Sequence, residues 1–395
     1  MKKVISVLFV GLMLLASANS VLAEDNSLDI EKVAIQTIKN SQNLQTYNKM
    51  VDLTKKYYSD ATSGAEAMKG LLQYQNSYST LEQIVFLPIE AKSSMDQYTN
   101  NQQVVTNAVR LSAYQAYINL LKANYALNIQ QGLMNGFDAD FRTAKQQESL
   151  GLLSASDLRL AEITYLKSQY SYNSAQKSFD SASMAIDNLM GADLAKQYST
   201  LQDNNVKPAA QIKSLSDYIA IAVASRSEVK NAQSTLDVAK QEYDYIKAAP
   251  VTDYDFAMQK LNYNMDNDQN NLDLAKITVQ QSVTTLYKSL DSAMKLMEAA
   301  KDLDDQAAAD YTAAETKYKT AQISLQDLDD AKVAKAQADV NYKNAQLDAW
   351  LAQATMNSAC GAGYVPPSTG TSGAAQTTGS NKTVSTKPDK AANRH

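Results

Sequence analysis

A group of aspartates is the first pattern of side chains in this 395-residue chain that could do chemistry. It comprises Asp302, Asp304, Asp305 and Asp310. Catalysis by carboxylates needs two of them in one pocket, and covalent catalysis needs a nucleophile beside a base. Neither arrangement occurs at a suitable spacing, and the four aspartates are typical of a solvated helix face. The sequence therefore predicts that this protein is not an enzyme.

Cysteine and histidine each occur once, as Cys360 and His395. A single cysteine cannot form an intramolecular disulfide, and a single histidine cannot build a histidine-based metal site. We interpret Cys360 as a small buried apolar residue, the alternative being a reactive thiol. No metal or cofactor is predicted, and the net charge of −5 argues against nucleic acid as a partner.

A Ser-x-x-Asp-Leu motif occurs twice and reveals an internal repeat. A shift of 170 residues places Ser154, Asp157, Leu158 and Ala161 on Ser324, Asp327, Leu328 and Ala331, Tyr117 on Tyr287, and Gly191 on Gly361. Serine at this position caps the first turn of a helix, and glycine after a helix suits the left-handed C′ position. Each half is predicted to contain a helix, a variable insert, a long outgoing helix, the Ser-x-x-Asp-Leu turn and a returning helix.

The elements that carry these motifs are predicted to be very long helices. No glycine lies between Gly191 and Gly361, and apolar residues recur at helical spacing. The stretch 103–149 alone would form a rod of roughly 70 Å. We predict an all-α fold of two tandem repeats of long antiparallel helices, and one compact core cannot bury such rods.

The ends of the chain have a different composition. Residues 1–23 begin with two lysines, continue with an apolar stretch and end in Val-Leu-Ala, which is typical of a signal peptide. Residues 24–205 and 206–361 are predicted to be the two repeats. Residues 362–395 are rich in Pro, Gly, Ser, Thr and Asn and are predicted to be a disordered tail.

Four segments in their order along the chain resemble the TolC-like outer-membrane efflux proteins. They are the helix openings that start at Leu28 and Leu215 and the turns 150–158 and 318–330. The resemblance covers about residues 28–361. It implies a helical barrel formed by a homotrimer, with a tunnel that crosses the periplasm.

The resemblance also assigns roles to individual residues. The hairpin tips that contact a periplasmic adaptor would be Gly151, Leu152, Leu153, Ser154, Ile323, Ser324 and Leu325. Asp327 and Asp330 match the carboxylates that form rings at the constricted entrance. Alternatively, Asp327 caps the returning helix and Asp330 only solvates it. Asp157 and Tyr318 match a pair that latches neighbouring coils.

The two inserts depart from the family pattern. Family members carry a β-hairpin in each half, with strands of about 9–11 alternating residues. The first insert offers one apolar run, 84–89, which Pro88 interrupts. The second insert is predicted to be a helix that ends in polar turns near residue 271. We therefore expect the barrel strands to be reduced or missing.

Two functions fit this pattern. The first is a passive exit duct of a tripartite efflux or type I secretion system, partnered by a periplasmic adaptor (membrane fusion protein) and an inner-membrane pump. The expected location is the cell outer membrane or periplasm, although the missing strands leave membrane insertion open. The alternative is a barrel-less helical scaffold of the cell envelope.

Overall fold

The computed structural model describes residues 27–196, 198, 200–248 and 251–364. The α-helices of these ranges are α1 (Ile30–Asn40), α2 (Gln42–Met68), α3 (Tyr78–Leu81), α4 (Leu87–Ser149), α5 (Ala155–Met190), α6 (Leu215–Ser225), α7 (Ser227–Ala248), α8 (Tyr254–Lys319) and α9 (Leu325–Cys360). Two short strands, β1 (Ser27–Leu28) and β2 (Thr200–Leu201), pair in parallel. The predicted signal peptide and the predicted tail from residue 365 onward lie outside the described residues.

Two helices dominate the fold. α4 has 63 residues and α8 has 66, so they are about 95 Å and 99 Å long at 1.5 Å per residue. α8 contains neither glycine nor proline, and the proline of α4 lies in its first turn, where its missing N–H costs nothing. The prediction of an all-α fold with long antiparallel helices is confirmed.

The long helices form two hairpins that lie side by side. α4 and α5 form the first, and α8 and α9 form the second. α4 also packs on α9, so the lateral order in this half of the protein is α5, α4, α9, α8. In the other half the order is α2, α4, α7, α8. The chain is therefore a layer of helices with α2 and α5 at one edge and α8 at the other.

Apolar residues are buried in separate clusters along this layer. One lies around Tyr117, Ile118 and Leu121 of α4, where α1 and the end of α5 pack. A second cluster joins α6, α7, α8 and the end of α9 around Val283 and Leu290. This distribution agrees with the expectation that such rods do not share one compact core.

Tyr117 connects β1 to the linker between the repeats. Its hydroxyl group is 2.7 Å from the carbonyl oxygen of Leu28 and 2.8 Å from that of Gln202. The same Leu28 carbonyl accepts a hydrogen bond from the Gln202 N–H at 2.9 Å. Since Tyr117 is fully buried, it fixes the β1–β2 pair against α4.

The inserts are helical where the structure describes them. A 3₁₀ turn (Lys69–Gln73), α3 and a π turn (Glu82–Phe86) lead into α4. Tyr78 and Phe86 pack on Ile246 and Leu261 of the second insert region, which joins the two inserts in a small core. The predicted polar turns near residue 271 are wrong, because α8 continues through them. Asn and Asp cost only a few tenths of a kcal/mol each in a helix, and their side chains here face mostly outward.

The two glycines that follow the returning helices behave differently. Gly191 has φ of 63°, the left-handed conformation that we predicted. Gly361 has φ of −84°, so the same prediction for the second repeat is wrong. There the left-handed residue is Gly363, with φ of 93°. The shift lets the chain cross to α7, where the Ala362 carbonyl accepts a hydrogen bond from Ser227, so that residues 362–364 belong to the folded part.

Candidate functional site

The first hairpin tip is a tight turn built around Gly151. Gly151 has φ of 72°, and its N–H donates to the carbonyl of Glu148 at 2.9 Å. The N–H of Leu152 donates to the carbonyl of Gln147 at 2.8 Å. These two bonds are the Schellman arrangement that closes a helix with a left-handed residue at C′.

The second tip repeats this turn with alanine at the left-handed position. Ala321 has φ of 53° and is the only residue other than glycine with positive φ in the described ranges. Its N–H donates to the backbone carbonyl of Tyr318 at 2.9 Å, and the N–H of Gln322 donates to the backbone carbonyl of Lys317 at 2.9 Å. Because an alanine Cβ crowds the following carbonyl in this conformation, the second tip carries about 1–2 kcal/mol of strain that the first lacks.

The aspartates of both Ser-x-x-Asp-Leu motifs take part in helix caps. The N–H of Asp157 donates to the Ser154 hydroxyl, which in turn donates to the Asp157 carboxylate at 2.6 Å. Asp327 forms the same bonds with Ser324 and also accepts from the Ser324 backbone N–H at 2.9 Å. The Ser324 hydroxyl and then this N–H lower the pKa of Asp327. The capping role that we considered for Asp327 is therefore present in the single chain.

The ring and latch candidates lie at the surface of the single chain. Asp330 and Asp157 are exposed, and Tyr318 is 40% exposed. Asp157 is engaged by its own cap, and no hydrogen bond to Tyr318 is recorded among the described residues. The ring and the latch would both form between chains, so both assignments stay predictions.

The tip residues differ in exposure in the same way in both hairpins. Leu152 is 75% exposed and its neighbour Leu150 is 72% exposed. Leu153 and its repeat partner Ile323 are both half-buried. Gly151, Ser154 and Ser324 are exposed, while Leu325 is half-buried. The first tip therefore presents two leucines to solvent.

Asp329 is a titratable residue at this end that the sequence analysis missed. It lies on the buried face of α9 and is only 9% exposed. Burial and then the nearby Asp140 carboxylate raise its pKa to about 6, and Lys332 opposes this shift. Lys332 lies 3.5 Å from Asp140 and 4.8 Å from the centre of the Phe137 ring. The spacing of 329, 332 and 336 on one helix face was the available signal.

A glycine makes room for this cluster. A Cβ at Gly136 would lie 2.5 Å from the Lys332 ammonium nitrogen, which is too close. Gly136 lies in the interior of α4, where a glycine costs about 1 kcal/mol of stability relative to alanine. A larger residue at this position would make the flexible end of the Lys332 side chain move away from its present place beside Asp140.

The described residues contain no group of three or more potential metal ligands. None of the described helices combines enough length with an apolar stretch that could cross a membrane. Cys360 is buried, 5% exposed, as the sequence predicted.

The fold is similar to those of solved membrane proteins with low sequence identity. A membrane protein from Pseudomonas aeruginosa matches with a TM-score of 0.61 and 11% identity over 85% of this chain and 90% of that one. The outer membrane protein VceC from Vibrio cholerae gives 0.61 and 11% over 85% and 96%. CusC gives 0.61 and 12% over 85% and 92%. The chain has the fold of the TolC-like outer-membrane channels. No protein-family model and no curated protein sequence matches it.

This similarity confirms the predicted resemblance at the level of the fold. The TolC-like fold is that of a family of channels rather than enzymes. The tips of the chain correspond to the turns that carried the resemblance in the sequence.

Proposed function

We propose that this protein is the wall segment of a passive TolC-like exit duct, formed when copies of the chain join edge to edge. The observation that carries the proposal is a stripe of exposed apolar residues along α8, which no described part of the single chain covers. The duct moves cargo that a partner pump supplies, and it performs no chemistry of its own.

α8 is apolar on two opposite sides. Its large exposed apolar residues are Phe256, Tyr263, Leu274, Ile277, Leu296 and Leu303. At 3.6 residues per turn, these six fall within about 100° of arc. The other side of α8 carries the buried residues Leu272, Val279, Val283 and Leu290, which lie about 140–180° around the helix from Phe256. Along this face the six residues form three exposed apolar pairs, separated by exposed polar residues such as Asn270, Gln281 and Lys288. Exposed apolar patches favour an interaction site, so this face of α8 is the one we assign to a partner.

The opposite edge of the chain carries matching stripes. On α5 the exposed apolar residues are Leu160, Ile163, Leu166 and Tyr170, and on α2 they are Met50, Leu53 and Tyr57. Each set falls on one helix face within about 120° of arc. The two edges differ from each other, so copies join head to tail, and such contacts close into a ring when the rotation allows.

The family fold favours a ring of three copies. Each chain contributes four helices to the wall in either half, so three copies supply twelve. The tips then lie together at one end of the ring, where Leu150 and Leu152 offer apolar contact to a periplasmic adaptor. In the same ring, Asp327 and Asp330 would lie near their symmetry copies at the entrance, and Tyr318 near the Asp157 of a neighbouring coil.

Disulfide cross-linking between the two edges tests the proposal. Tyr170 lies fifteen residues after the start of α5, and Leu303 lies sixteen residues before the end of α8. Both are therefore about 23 Å from the tips. Tyr170→Cys with Leu303→Cys, in a Cys360→Ser background, should yield closed three-chain products on a non-reducing gel.

The matched control moves one cysteine to another face at the same level. Asp305→Cys lies about 200° around α8 from Leu303 and is also exposed. Paired with Tyr170→Cys, it should give few or no cross-links. Equal cross-linking in both pairs, or none in either, would argue against a duct wall and favour a monomeric helical scaffold.

A further inference from the structure

Two carboxyl groups meet between α8 and α9, away from the tips. The Asp304 carboxyl lies within hydrogen-bonding reach of the Asp339 carboxyl. Asp339 also forms an ion pair with Lys335 at 2.8 Å, one turn away on its own helix. The sequence places Asp304 in a solvated acidic run, whereas the structure turns it toward α9.

One oxygen of Asp304 lacks a donor. Its Oδ1 atom is inaccessible to solvent and has no hydrogen-bond partner among the described residues. Two ionised carboxylates are both acceptors only, so they cannot hydrogen bond to each other. A proton on one of them creates a donor and forms a short, charge-assisted bond to the other. The contact is therefore built for one proton between two carboxyls.

The surrounding charges do not neutralise both acids. Burial first and the neighbouring Asp339 next raise the pKa of Asp304, while Lys335 lowers it and Asp305 raises it again. Asp305 is itself paired with Lys301 at 2.5 Å. On the α4 side, the stretch at this level is 130–136, which contains no charged residue. One ammonium group, from Lys335, thus faces two carboxyls.

We propose that Asp304 and Asp339 share one proton, which stabilises the contact between α8 and α9 and makes the stability of this hairpin depend on pH. When the proton leaves, two negative charges face each other across the helix contact and weaken it. The inference concerns one chain and does not depend on whether copies form a duct.

The direction of the pH effect follows from the raised pKa. The folded state holds a proton that the unfolded state releases near pH 4, so it binds more protons between that pH and its own higher pKa. The resistance to urea should therefore fall as the pH rises through this window and level off above it. Asp304→Asn supplies a permanent N–H donor to Asp339, so it should remove this part of the pH dependence and lower the unfolding constant at least threefold at neutral pH.

Infrared spectroscopy observes the proton directly. At a pH above the ordinary aspartate pKa of about 4 and below the raised pKa of Asp304, the protein should show the band of a protonated carboxyl. Asp304→Asn and Asp339→Asn should each remove the same part of that band. The Asp329 carboxyl contributes equally to all three proteins, so only the difference between variants counts.

Asp302→Asn is the matched control, since it removes an exposed acid from the same run of α8. It should leave the shared-proton band and the pH profile unchanged. If Asp304→Asn loses no more of the band than Asp302→Asn, or if it keeps the parent pH profile, the shared proton does not exist. Folding of each variant is checked by its helical circular dichroism.

Discussion

Replacing Tyr117 by phenylalanine should destabilise the protein through one hydroxyl group. That hydroxyl is buried and lies 2.7 Å and 2.8 Å from two carbonyl oxygens, those of Leu28 and Gln202. Burial raises the pKa of Tyr117, so the group stays a donor at neutral pH. Leu28 keeps its bond from the Gln202 N–H, whereas the Gln202 carbonyl loses its recorded donor. Gln202 is exposed and its bond to Tyr117 is only part-buried, so water can replace the lost donor. We therefore expect the loss of one ordinary hydrogen bond, about 0.5–1.5 kcal/mol.

Tyr287 offers a control in the other repeat, because it occupies the position equivalent to Tyr117. It is half-buried, packs on the Tyr218 ring at 6.2 Å, and its hydroxyl has no recorded hydrogen bond among the described residues. Tyr287→Phe should therefore change the free energy of unfolding by less than about 0.5 kcal/mol. Urea unfolding followed by circular dichroism measures both variants.

Hydrogen exchange locates the effect. In Tyr117→Phe the amide of Gln202, which bridges β1 and β2, should exchange faster, whereas amides of α8 should not change. Equal stability losses for the two variants, or an unchanged rate at Gln202, would refute the clamp role of Tyr117.

Three further predictions concern the tip end. Ala321→Gly should stabilise the protein by about 1 kcal/mol, because glycine adopts the left-handed conformation without strain. Gly151→Ala should destabilise it by a similar amount. Urea midpoints that do not move in opposite directions would contradict this. Burial raises the pKa of Asp329 to about 6, above its unfolded value, so its contribution to stability should fall between pH 4 and pH 6. Asp329→Asn should remove that fall and stabilise the protein at pH 7 by about 1–2 kcal/mol, after allowance for solvent screening. Unfolding measured at a series of pH values tests this. Asp327→Ala should lower the thermal unfolding midpoint more than Asp330→Ala, since only Asp327 closes a capping box. Equal midpoints would show that the cap does not contribute the larger part of the local stability.

Much of the fold could be predicted from local patterns. The shift of 170 residues that places Asp157 on Asp327 locates both turns, and the caps form where Ser-x-x-Asp predicts them. Gly151 and Gly191 adopt the left-handed conformation that glycine after a helix favours. These features depend on a few neighbouring residues, so the sequence alone is sufficient.

Features that depend on packing between helices were not predicted. The sequence pattern indicates a solvated helix face for Asp304 and does not single out Asp329, since only the packing of α4, α9 and α8 turns the two side chains inward. The polar run 262–271 lies within α8 because a continuing helix outweighs weak local preferences. Ala321 takes the place of a glycine because the hairpin imposes the turn on it.

Assembly of the chain through its two apolar edges is the central claim, and the mass of residues 24–395 in solution tests it most directly. Light scattering after chromatography, with and without detergent, gives that mass independently of shape. We predict a particle of three chains, in detergent at least, and its conversion to single chains by Leu296→Asp with Leu303→Asp on the α8 stripe. A single chain under every condition, or a trimer indifferent to those two substitutions, would contradict the edge-to-edge duct.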